Sequence, residues 1–185
     1  MEKCMSPEFR VSFPQVFEAK SFQGAPPKFS LVMLFDKGID LSKLKELAKN
    51  AINEKWPDAN KRPKGLKNPF RDGDAEKPGV EGYENAIFIT ASSKMKPGVV
   101  DSNLVPIISA DDFYAGCFAR ATLTAYAYDT AGNKGVAFGL QNIQKLKDGD
   151  SFSGRSKAED DFDIVDGGGN AKITVTASAQ DDMFG

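Results

Sequence analysis

Apolar and polar positions alternate with a period of two along four stretches of this 185-residue chain, run almost unbroken apolar along a fifth, and recur at helical spacing along one more. Successive side chains on a strand point to opposite faces, so each alternating stretch predicts a strand with one side in and one side out. Phe9 to Phe17 carries Phe9, Val11 and Phe13 on one face. Pro14 marks an edge or a bulge there, because proline has no N–H for a ladder. Lys28 to Phe35 is short and nearly all apolar, which predicts a well-buried strand. Ala86 to Ser93 opposes Ile87, Ile89 and Ala91 to Phe88 and Thr90. The longest signal is a hairpin of two strands, Cys117 to Tyr128 and Lys134 to Gln144, joined by Asp129-Thr130-Ala131-Gly132-Asn133. That joint reads as a four- or five-residue turn with Gly132 or Asn133 at positive φ. The helix spans Leu41 to Trp56, with Leu41, Leu44, Leu47, Ala48, Ala51 and Ile52 on one face, Asp40 as its N-cap and Pro57 as its stop.

The hairpin carries the candidate chemistry. Its first strand sorts into a small apolar face, Cys117, Ala119, Ala121, Leu123, Ala125 and Ala127, and a mixed face, Phe118, Arg120, Thr122, Thr124, Tyr126 and Tyr128. In the second strand Gly135, Ala137 and Gly139 go with the small face, and Lys134, Val136 and Phe138 with the mixed one. Two readings of the mixed face are open. A bulky face of a lone strand is ordinarily the core. Alternatively, flat rings for bases and cations for phosphates make it a surface for a single-stranded nucleic acid. Arg120 and the two threonines weigh against burial, since an unpaired charge is seldom buried. The choice of stacking rings depends on the register of the hairpin.

Composition narrows the function classes. With 41% hydrophobic and 27% charged residues the chain has the make-up of a globular domain, long enough for one domain and an appendage. No apolar run approaches the roughly 18 residues of a membrane span, and no signal-peptide pattern opens the chain. Cys4 and Cys117 alone cannot build a disulfide framework or a structural zinc site, and they fit a reducing compartment. The sequence has no histidine, which removes Ser-His and Cys-His nucleophile pairs and the commonest general base. No cofactor or metal is expected, and catalysis is disfavoured. The net charge of −2 conceals an asymmetry: residues 159–185 hold seven acids against Lys172 alone, leaving residues 1–158 at +4.

The connections add cations. Lys61, Arg62, Lys64, Lys67 and Arg71 surround Phe70 with no acid among them, and Lys94-Met95-Lys96-Pro97-Gly98 is a basic turn. A solvated loop and a phosphate-contacting arm with a stacking ring are both open for the first cluster. The charges on the outer face of the helix read as a solvated surface. Asp72-Gly73-Asp74 lacks the spacing of a calcium-binding EF-hand loop. Gly167-Gly168-Gly169 reads as a flexible joint, followed by a short strand candidate, Ala171 to Ala177, and an acidic end.

Five strands, one helix and no βαβ rhythm predict a mainly β fold: an OB-like five-stranded barrel with one amphipathic helix and an acidic, flexible C-terminal tail. Several segments resemble, in order, the bacteriophage-encoded single-stranded-DNA-binding proteins with an OB-fold. They are Pro69-Phe70-Arg71-Asp72-Gly73-Asp74, Ala91-Ser92-Ser93-Lys94, Val99-Val100-Asp101, Gly116-Cys117, Tyr126-Ala127-Tyr128-Asp129, Gly132 to Ala137, Gly139-Leu140-Gln141-Asn142 and Ala158 to Phe162. The resemblance covers about residues 28–162. It implies non-catalytic, cooperative or high-capacity binding of single strands during phage replication and recombination, in the cytoplasm of the bacterial host. Asp181, Asp182 and Phe184 resemble the acidic, aromatic-ended tails of such proteins, which implies docking of a phage or host polymerase, helicase or recombinase. The chain departs from that pattern in its sparse acids and its final Gly185.

These observations set the expectations. Residues 1–162 should form the DNA-binding domain and 163–185 the tail, with self-association as a homo-oligomer compatible with this organisation. Stacking is expected from Phe70, Phe88, Tyr126, Tyr128 and Phe138, and phosphate contacts from Arg62, Lys64, Arg71, Lys94, Lys96, Arg120 and Lys134. Two other classes compete: a structural virion or assembly protein using the Ala/Thr-rich strands, and a metal-dependent nuclease using Glu159, Asp160, Asp161 and Asp163.

Overall fold

In the computed structural model, which describes residues 2–152 and 158–165, each of the five stretches expected as a strand is one. In chain order, β1 is Cys4–Met5, β2 Phe9–Lys20 and β3 Lys28–Asp36, followed by the helix α1, Ser42–Lys55. Then come β4 (Arg71–Asp72), the one-turn α2 (Gly73–Glu76), β5 (Ala86–Ser93) and β6 (Gly98–Val100). The hairpin is β7 (Phe118–Thr130) with β8 (Asn133–Lys147), and α3 is Ala158–Asp161. Antiparallel pairs link β2 to β3 and β3 to β5. A parallel pair links β5 to β8, and β8 returns through β7 to β2. The result is a closed ring of five strands of OB type, in which no ring strand is an unpaired edge. The short strands β1, β4 and β6 lie against β7, β5 and β8.

The inward faces follow the alternation. Phe9, Val11, Leu31, Met33, Phe35, Ile89 and Ala91 are buried, and Phe9 meets Phe35 edge-on at 5.8 Å between centroids. Ala119, Ala121 and Ala125 supply the small inward side of β7 that a tightly curved sheet requires. α1 packs on β1, β7 and β8 through Leu44, Leu47, Ala48 and Ala51, spaced as one helical stripe. Its first turn begins one residue later than the sequence suggests. Asp40 lies just outside, and its carboxylate accepts the Ser42 N–H at 2.9 Å, a bond that holds that carboxyl below its usual range.

Three expectations are corrected. Phe13 does not share the buried face with Phe9 and Val11; it sits at φ +42° and is 61% exposed. The β2–β3 register shifts between Ser12 and Gln15, so Pro14 makes a bulge that swings Phe13 out. The hairpin turn is tighter than a four- or five-residue joint. Thr130 pairs with Asn133, leaving Ala131 (φ +46°) and Gly132 (φ +83°) as a two-residue turn. Both residues have positive φ, the hairpin geometry whose twist suits the flanking strands. Finally, the connection that carries the Lys61 to Arg71 cations, read as a loop or arm, is partly structured: residues 57–85 contain β4, α2 and a 3₁₀ turn, Ala59–Lys61.

Residues Met1–Arg155 form one compact unit and Ser156–Gly185 a second, of which α3 and the four residues after it are described. The Gly167–Gly169 joint, the Ala171–Ala177 strand and the Asp181, Asp182 and Phe184 docking residues lie outside the described residues. Among the described residues no helix is long and apolar enough to cross a membrane.

Candidate nucleic-acid interface

The two-residue turn decides what faces outward. It sets Tyr126 opposite Ala137 and Tyr128 opposite Gly135. The two tyrosines are half-buried on the outside of the ring, while Ala125, Val136 and Phe138 point in. Beside them, β5 turns Thr90 and Ser92 outward, and its Ala91 and Ser92 pair with Phe138 and Gly139. The strip from Tyr128 across Ala137 to Thr90 therefore has a floor of small residues with a ring at its border.

The segment before β5 builds the opposite wall. Lys67 donates its N–H to Lys134 O (2.9 Å) and accepts from Val136 N (3.3 Å), so the chain lies along β8 where β8 is no longer paired with β5. Gly135 is required at this approach. A Cβ there would stand 2.8 Å from Lys67 Cβ and 2.9 Å from the Tyr128 hydroxyl. Lys67, Asn68, Pro69, Phe70, Arg71, Asp72 and Glu76 then enclose, with Thr90, Tyr128, Val136 and Ala137, an open groove of about 610 Å³.

The wall is held by charge. Lys37 reaches both Asp72 (2.9 Å) and Asp74 (2.7 Å). Hydrogen bonds from its ammonium hold the two carboxyls below the ordinary range, and Asp74 also accepts the Asn85 N–H. Behind the wall, Leu34, Tyr83 and Phe88 form a small apolar cluster on the outer side of β3 and β5. Burial pushes the Tyr83 phenol up, and its hydroxyl shares a 3.0 Å hydrogen bond with Ser12.

The expected site residues divide accordingly. Phe70, Arg71 and Tyr128 line the groove, with Tyr126 one step along β7. Lys64, Lys94 and Lys96 are exposed. Arg120 is exposed on the outer face, bonded to Gln144 Oε1 at 2.8 Å. At about 3.3 Å per residue it lies roughly 26 Å along β7 from Tyr128. Lys134 is half-buried and faces Asp129 at 3.7 Å.

Three assignments are corrected. Phe138 is fully buried, edge-on to Phe70 at 5.7 Å, so it supports the groove floor from inside and presents no face to a base. Phe88 is 2% exposed beneath the Arg71 guanidinium, 4.8 Å from its ring centre. Arg62 turns onto the end of α1, donating to Asn53 Oδ1 (2.9 Å) and Trp56 O (3.2 Å). There it satisfies helix carbonyls rather than standing free for a phosphate.

Lys67, Thr90, Ala137 and Glu76 are groove residues that the sequence did not single out. Lys67 stood in the cationic cluster, but its contact with β8 is a long-range event. Of the nuclease carboxylates, Glu159 and Asp160 have side chains outside the described residues, and among the described residues no three ligand-type side chains are gathered for a metal.

A closed OB-type ring with an open groove on its outer face, bordered by Tyr128 and walled by a segment that carries Lys67 and Arg71 beside Asp72 and Glu76, has the architecture of a class of nucleic-acid-binding modules. The sequence model of the family described as Enterobacter phage Enc34, ssDNA-binding protein, matches residues 2–173, and this chain belongs to that family. Protein p50 of Acyrthosiphon pisum secondary endosymbiont phage 1 is 35% identical over 168 residues, covering 83% of this chain and 89% of its own length. The fold is shared with the single-stranded DNA-binding protein of bacteriophage Enc34 solved in complex with ssDNA. That match has a TM-score of 0.72 at 21% identity, over 81% of this chain and 89% of that one. It is also shared with gp2.5, a single-stranded DNA-binding protein encoded by bacteriophage T7. There the TM-score is 0.59 at 12% identity, over 92% and 98% of the two chains.

Proposed function

We propose that this chain binds single-stranded DNA without sequence preference and without catalysis, in the host cytoplasm during phage replication or recombination. The observation that carries the reading is the outer groove, where Tyr128 borders a floor of Thr90 and Ala137 under the Lys67–Asp72 wall. A floor that small lets a strand approach the sheet closely. The tyrosine ring offers a stacking face that suits every base, and the surrounding cations take the phosphates. Lys64, Lys67, Lys94, Lys96 and Arg120 form no ion pair among the described residues. If each neutralises one phosphate at about 0.7 of a counterion, log K should fall against log salt with a slope of about 3.5 at most.

A mobility-shift titration of the full chain with an unstructured oligonucleotide, at low and high salt and against duplex competitor, tests this. Tight binding that weakens with salt and ignores duplex is expected. Binding indifferent to salt, or preferring duplex, would overturn it.

The acidic tail extends the proposal. Residues 159–185 have a local balance of −6; this acidic end competes for the exposed cations beside the groove when DNA is absent, and once displaced it is available to dock a replication or recombination protein through Asp181, Asp182 and Phe184. Removal of residues 167–185 should then tighten binding at low salt; an unchanged titration would argue against competition.

A further inference from the structure

The charges that line the groove cancel, and its arginine is already paired within the lining. Four charged side chains line it, and they balance: Lys67 and Arg71 against Asp72 and Glu76. Asp72 is held by Lys37, but the Arg71–Glu76 pair lies wholly within the lining. The Arg71 guanidinium is set over the Phe88 ring at 4.8 Å. Its Nε and Nη2, the fork that fits a carboxylate or a phosphate, are filled by Glu76: Nε to Oε1 and Oε2 at 3.1 Å each, Nη2 to Oε1 at 2.9 Å. The side chains are 47% and 41% exposed, so burial does not lock the pair.

We propose that Glu76 is a resident stand-in for a backbone phosphate at Arg71, and that a phosphodiester of the bound strand takes its place on the fork. The proposal rests on the single-strand reading of the groove and names the residue that sets its affinity and salt response. Exchange of one anion for another at Arg71 frees a carboxylate that must find a counterion of its own. Net counterion release at this cation is therefore close to zero, and Arg71 adds little to the salt slope of the native protein. The exchange also selects its ligand. A free anion has only the fork to gain, whereas a phosphate tethered to a base stacked on Tyr128 arrives at high effective concentration.

Glu76→Gln in the full chain isolates the effect, since glutamine keeps the shape and a hydrogen bond to Arg71 while removing the charge. Titration with a fluorescent oligothymidylate from low to physiological salt should show binding tighter by roughly tenfold at low salt, with a slope steeper by about 0.7. Glu46→Gln, on the exposed face of α1, makes the same change in net charge away from the groove and should leave the slope unaltered. Weaker binding by Glu76→Gln would mean that Glu76 holds Arg71 in place for DNA, and the proposal falls. It falls too if affinity and slope do not move, or if Glu46→Gln reproduces the gain. Failure of the native chain to bind the oligonucleotide at all is a separate result, visible before any variant is compared. It would remove the single-strand reading and this proposal with it.

Discussion

A chain with alanine at Phe138 is expected to lose about 3–5 kcal/mol of folding stability, while the molecules that remain folded bind a single strand nearly as the native protein does. Phe138 is fully buried, and Ala125 and Ala91 are its strand partners on either side. Neither neighbour has the bulk to collapse into the space a phenyl ring would vacate, so the cavity persists and the cost falls at the high end for aromatic truncation. Phe70 stands edge-on to it at 5.7 Å and would lose its support. Urea unfolding read by circular dichroism should show the midpoint collapse, and a titration well below that midpoint should show affinity preserved. A stable Phe138→Ala protein with poor affinity would reverse the assignment and return this ring to the binding face.

Tyr128→Ala should behave the other way round. Loss of one stacking face is expected to weaken oligonucleotide binding by about 1–3 kcal/mol, roughly five- to 150-fold. The stability change should be much smaller, because the ring is half-exposed and borders the groove rather than filling the core. Tyr128→Phe keeps the ring and should retain most of the affinity, which separates stacking from any contribution of the hydroxyl. Fluorescence titration of the three proteins against one oligonucleotide at fixed salt measures this. Equal affinities for native and alanine proteins would show that bases do not stack here.

The opposite fates of Phe138 and Tyr128 show where local pattern stops. Both stand at even positions of one hairpin, and a joint of Asp129 to Asn133 puts Tyr128 across from Lys134, with Phe138 on the tyrosine side. The turn at Ala131-Gly132 is three residues shorter, which shifts the register by one and pairs Tyr128 with Gly135. A slip of one residue moves every side chain of a strand to the other face, so Phe138 enters the core and Ala137 becomes the groove floor. Phe88 was hidden for a different reason. Its face of β5 does point outward, as Thr90 on the same side shows. It is covered by Arg71, Tyr83 and their neighbours, which reach back from a connecting segment. Arg62 belongs to the end of the helix, a contact that depends on how the chain turns after Pro57.

What the sequence determined by itself was every property that is local and periodic: the five ring strands, the helix, and the sorting of β7 into an alanine face and a tyrosine face, without saying which of the two turns in. These follow from alternation, caps and proline stops, which act within a few residues. Tertiary structure decided the pairing across the hairpin, the wall that residues 67–76 raise beside β8, and the Arg71–Glu76 pair inside the groove. Each of these joins surfaces through a turn geometry or a long loop closure, and such contacts are fixed by packing the whole ring rather than by any one segment's preference.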